Sequence, residues 1–94
     1  MTTIYLDYET RSHIDLRDAG AYRYAVDPST EIIVACTGEE TENGFETSTY
    51  LSDYGYEGLK EKLLAADKIV AHNAFFEILI TKFVLNIDVP LSKW

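Results

Sequence analysis

A chain of 94 residues holds one small domain, and burying only ~60–65% of its unfolded surface leaves it a thin stability margin. Hydrophobic residues make up 47%, too many for a disordered tail. A net charge of −8 argues against a stand-alone DNA-coating protein, which would present a basic face. It leaves room for a nuclease, whose active site needs carboxylates to hold cations, because a bound metal reverses the local field. Cys36 is the single cysteine and sits in the apolar run Ile32-Ile33-Val34-Ala35-Cys36. No internal disulfide can form, which fits a reducing compartment. The start lacks the basic segment and apolar stretch of a signal peptide, and no run approaches the ~20 apolar residues of a membrane helix. A cytoplasmic protein with no membrane partner is expected.

Residues 3–8 read as a strand with Ile4, Leu6 and Tyr8 on one side and Tyr5, Asp7 and Glu9 on the other. Residues 11–15 form a polar connection. Residues 15–24 suit a short helical turn with Leu16, Ala19 and Tyr22 or Tyr24 inward, and Asp27-Pro28-Ser29 is a turn signal. Residues 31–37 are apolar almost throughout, as in a strand buried on both faces. The acidic segment 38–44 is a hairpin tip, and in 45–51 Phe45, Thr47 and Thr49 alternate with Glu46, Ser48 and Tyr50.

Residues 56–66 carry an apolar stripe of Leu59, Leu63 and Leu64 and predict a helix. Residues 68–71 are a short apolar strand, Asn73 is a good N-cap, and 74–85 continue as a helix apolar on nearly every side, ended by Pro90. An α/β fold follows: a three-strand antiparallel meander, then helix, parallel strand and helix, giving a mixed sheet with helices on its faces. The sequence ends on Trp94, which reads as a large apolar side chain left exposed, as if a domain were cut short.

Two places concentrate acids. Asp7 and Glu9 are i and i+2 on a strand, so they share a side and repel. Mg²⁺ or Mn²⁺, which favour carboxylate and water ligands, would offset the repulsion; a solvated strand end would also tolerate it. Glu77 lies among Phe75, Phe76, Ile78, Leu79 and Ile80, where a charge is costly unless paired or metal-bound. Its position in a first helical turn is itself favourable for an acid. A capping box does not fit, because the third helical position after Asn73 is Phe76. Asn73 and Glu77 are i and i+4 and share one face. If the first strand neighbours the strand before Asn73, then Asp7, Glu9 and Glu77 converge at the sheet edge where α/β proteins bind ligands. Such a trio suits two-metal phosphodiester cleavage. His72 reads as structural, packed at the strand end; His13 and the run Glu39-Glu40-Thr41-Glu42 read as solvated. Tyr22 and Tyr24 suit packing, or stacking on an unpaired base.

Asp7-Tyr8-Glu9-Thr10, with Asp15-Leu16, Gly20-Ala21-Tyr22, Tyr24 and Asp27-Pro28, resembles the opening of the 3′→5′ exonuclease domain of phage-type family A DNA polymerases. Val70-Ala71-His72-Asn73-Ala74-Phe75-Phe76-Glu77 resembles that domain's second motif. The resemblance covers nearly the whole chain and implies a DEDD-type, RNase H-like fold over 1–94, holding the first two motifs of the domain. It implies that Asp7, Glu9 and Glu77 bind two divalent cations, Mg²⁺ or Mn²⁺. It also implies substrate-binding roles for Thr10, which with the backbone near it would touch the terminal nucleotide, and for Asn73, which would support the site by fixing the helix start. Its partners would be a single-stranded DNA 3′ end and the rest of a polymerase chain, in a bacterial or phage-infected cell. Many members have Asp where Glu77 stands. The third motif, an Asp with a Tyr or His that orients the attacking water, is not among these residues. The alternatives are a non-catalytic α/β module that binds a partner or itself through the sheet edge that truncation would leave exposed, and an RNA-directed exonuclease of the same fold.

Overall fold

Strand β1, Thr3–Arg11, alternates as the sequence requires: Ile4, Leu6 and Tyr8 are buried, while Tyr5, Asp7 and Glu9 are exposed. It appears in a computed structural model that describes residues 2–94; Met1, part of the start read above for a leader, lies outside them. The chain continues through α1 (Leu16–Val26), β2 (Glu31–Thr41), β3 (Gly44–Leu51), a 3-10 turn (Ser52–Tyr54), α2 (Glu57–Ala65), β4 (Lys68–Val70), α3 (Ala74–Phe83) and a second 3-10 turn (Leu91–Lys93).

The four strands lie in the order β3-β2-β1-β4. β1 to β3 form the antiparallel meander, and β4 returns parallel to β1, pairing Ile4 with Ile69 and Tyr5 with Val70. The α/β class and the mixed sheet therefore hold, with α1 inserted between the first two strands. Both hairpin strands run past the expected tip, so the turn shrinks to Glu42-Asn43.

Ile4, Leu6, Ile32, Ala35 and Ile69 of the sheet join Tyr24 and Ala25 of α1, Leu59 and Leu63 of α2, and Leu79 and Ile80 of α3 in one core. All three helices thus cover the same side. The other side has no such cover: Tyr5, Phe45, Leu51 and Cys36 are exposed there. This corrects the expectation that β2 is buried on both faces. Its apolar run serves a bulge instead. Pairing with β1 skips Ile33, so Ile32 and Ala35, three residues apart, both face the helices while Ile33 turns outward.

Other departures lie in the helices and at the end of the chain. Gly20 (φ 84°, ψ 165°) breaks α1 into two turns, in a backbone region open essentially to glycine alone. The break resets the inward face, so Tyr24 and Ala25 are buried whereas Leu16 and Tyr22 point out. In α2 the stripe is Leu59 and Leu63; Leu64, about 100° further round the helix, is exposed. Helix α3 ends at Phe83 and is not apolar-packed all round: Phe75 and Phe83 reach outward, the latter edge-to-face with Tyr22. Trp94 does not dangle. It is half-buried and packs against the core, as do Ile87 and Val89. No helix among the described residues is long and apolar enough to cross a membrane.

Candidate functional site

β4 stops at Val70, opposite Tyr5, so the part of β1 that carries Asp7 and Glu9 runs on with no strand beside it on that edge. The chain turns there through His72 and Asn73 into α3. The Asn73 carbonyl accepts the Glu77 N–H at 3.2 Å and closes the first turn of α3. The Asn73 side chain makes no capping bond, so its expected role reduces to that main-chain contact.

Glu77 is 5% exposed, and its Oε2 atom has no hydrogen-bond partner among the described residues. Burial, and next the Asp7 carboxylate, push the Glu77 carboxyl from 4.5 up to about 7; Glu9 adds to this, and a backbone contact from Tyr8 opposes it. The structure thus brings Asp7, Glu9 and Glu77 to one end of β1, the first two solvent-facing and the third set into the protein. The ion pairs among the described residues, Arg11–Glu31, Lys60–Glu57 and Lys62–Glu39, include none of the three. Among the described residues, no Lys, Arg or His pairs with any of them to offset their mutual repulsion.

Carboxylate oxygens are the donors that hard divalent cations take. An orphaned buried oxygen is the kind of group such a cation would satisfy. The donor set fits a cation in chemistry, but it is not closed around one: no group of three or more His, Cys, Asp or Glu among the described residues is arranged to hold a metal ion.

Thr10 stands apart from the trio. Alternation sends it to the helix side, and its hydroxyl lies 2.9 Å from the Tyr24 hydroxyl, tying β1 to α1. Tyr24 is buried and packs near Phe76, which favours packing over base stacking for that residue. His72, expected to be packed, is exposed. With Asp7, Tyr5, Phe45 and Val70 it lines a depression of about 430 Å³ on the uncovered sheet face.

One link escaped the sequence reading, which placed Tyr8 inward but gave it no partner. Tyr8, between the two acids, turns inward, and its hydroxyl lies 2.7 Å from Thr81 Oγ1 in the core. The signal was present: Thr81 is a hydroxyl in an apolar helix, one turn beyond Glu77. No family model matches the chain, and neither a curated protein nor a solved structure matches it.

Proposed function

We propose that this chain is the front portion of a DEDD-type 3′→5′ exonuclease domain of RNase H-like fold, acting on DNA 3′ ends beside a polymerase. The observation that carries the reading is the buried Oε2 of Glu77, which has no hydrogen-bond partner among the described residues, on a carboxyl that the Asp7 charge reaches. The likeness of Asp7-Tyr8-Glu9-Thr10 and Asn73-Ala74-Phe75-Phe76-Glu77 to the two exonuclease motifs supports it.

Asp7, Glu9 and Glu77 would hold the divalent ions. Such ions supply a hydroxide nucleophile at neutral pH and offset charge on the leaving 3′-oxygen. The chain's own part is to keep Glu77 desolvated and Asp7 and Glu9 open to solvent and substrate. Glu77 must lose its proton to serve as a ligand, so cation binding strengthens as pH rises past about 7. The group that orients the attacking water belongs to the third motif, which is not among these residues. Losing that orientation costs orders of magnitude in rate, so this chain alone is expected to trim DNA weakly or not at all.

The test is nucleotide release from a 3′-labelled single-stranded DNA in Mn²⁺, with an RNA of the same sequence as competitor. Weak trimming abolished by Asp7→Ala supports the reading, and preference for RNA moves it to an RNA-directed exonuclease. Trimming that survives Asp7→Ala and Glu77→Gln together refutes it. One observation favours a non-catalytic reading: β3, Gly44–Leu51, is an exposed outer strand that among the described residues pairs with β2 alone. Such an edge is a ready template for another strand. Concentration-dependent dimers in sedimentation, without metal response, would favour that reading.

A further inference from the structure

We propose that Tyr8 and Thr81 are a positioning pair that sets the distance between the two halves of the acidic site. The inference rests on the reading of Asp7, Glu9 and Glu77 as one site. Asp7 and Glu9 flank Tyr8 on β1 and point the opposite way from it. Thr81 is four residues beyond Glu77 and shares its helix face, about 6 Å along the axis. The Tyr8 hydroxyl and Thr81 Oγ1 meet at 2.7 Å, with Tyr8 5% and Thr81 1% exposed. It is the one bond between a side chain of α3 and a side chain of the sheet among the described residues.

Apolar contacts alone would let α3 slide or roll on the sheet at little cost, because they are non-directional. A buried hydroxyl pair has one good geometry and a penalty for leaving it. Phe at 8 and Val at 81 would fill the same space. The hydroxyls therefore add direction rather than bulk, and what they direct is the helix turn bearing Glu77 relative to the strand bearing Asp7 and Glu9.

Tyr8→Phe, Thr81→Val and Thr81→Ser are compared with Leu63→Ala, a core change away from the pair. Two properties are read: ¹⁵N relaxation dispersion of 74–78 and 7–9 without metal, and Mn²⁺ affinity by calorimetry. Tyr8→Phe and Thr81→Val should produce exchange at 74–78 but not in the β2–β3 hairpin, and weaken Mn²⁺ roughly tenfold. Thr81→Ser should restore both, and Leu63→Ala should lower stability with Mn²⁺ affinity within twofold. Loss of stability in Tyr8→Phe and Thr81→Val with neither change would overturn the proposal. If the parent chain takes up no Mn²⁺, the nuclease reading fails, and the relaxation data alone decide the positioning role.

Discussion

The Asp7 carboxylate stands near enough to Glu77 to add to the burial that lifts the Glu77 carboxyl to about 7. The two acids come from opposite ends of the sequence, one on an exposed strand face and one buried at a helix start. Nothing cationic among the described ion pairs reaches either. The pair is therefore strained electrostatically when no cation is bound, and several consequences are measurable.

Folding holds a proton on Glu77 over a range where the unfolded chain, at its ordinary value of 4.5, has released it. The native state then binds more protons than the unfolded one, so stability is fullest below about 4.5 for this group. It falls as pH rises to about 7 and levels off above that. The loss is about 3 kcal/mol at most. Asp27 acts in the opposite sense and at lower pH: hydrogen bonds from Ser29 hold its carboxyl below the usual range, so its contribution disappears only in acid. Urea midpoints at pH 5, 6, 7 and 8 should decline in the parent protein and stay level in Glu77→Gln. A level profile in both would remove the buried, repelled carboxyl from the account.

Asp7→Asn deletes the nearest like charge but leaves the burial. The Glu77 carboxyl should then titrate at a lower pH, and the metal-free protein should gain roughly 0.5–1 kcal/mol at pH 8. Side-chain ¹³C shifts of Glu77 followed against pH give the midpoint directly. An unchanged midpoint means that the two carboxylates do not interact.

Gly20→Ala should cost about 1–3 kcal/mol, since a side chain is forced into a backbone region reserved for glycine. Gly38→Ala makes a useful contrast. A Cβ there would meet Phe45 Cζ at 2.5 Å, but that atom is the end of an exposed ring that can swing aside. The second change should cost well under 1 kcal/mol and mainly separate Phe45 from Tyr5, whose ring centroids are 5.9 Å apart. Chemical denaturation ranks the two; the reverse order would mean that the α1 break is not fixed by Gly20.

Ile80→Ala empties a fully buried position where α3 meets the sheet and should cost about 2–5 kcal/mol. For a domain this small that is a large part of the total. The variant should be partly unfolded at 37 °C by circular dichroism.

Much of this was legible in the sequence. Strict alternation in Ile4-Tyr5-Leu6-Asp7-Tyr8-Glu9 gave both the strand and the side on which the acids sit. The misfit of Glu77 with its apolar neighbours in sequence marks it without any knowledge of the fold. What was not legible depends on tertiary partners. Apolar runs do not say whether one face or two will be covered, so 31–37 read as buried on both faces although Cys36 and Ile33 face outward. The break at Gly20 shifted the inward face of α1, which a regular helical period cannot anticipate. Thr10 is a neighbour of Glu9 in sequence, yet its hydroxyl belongs to Tyr24 on the other side of the sheet. The Tyr8–Thr81 bond joins residues 73 apart in sequence, and no local pattern pairs them.

The most direct test of the central claim is thermal unfolding at pH 8 with increasing Mn²⁺, for the parent chain, Asp7→Asn and Glu77→Gln. A cation held between the two halves of the site should raise the parent midpoint by roughly 5–10 °C at tenfold excess over its dissociation constant, and raise either variant far less. No rise at millimolar Mn²⁺, or an equal rise in all three proteins, would contradict a shared cation site at Asp7, Glu9 and Glu77.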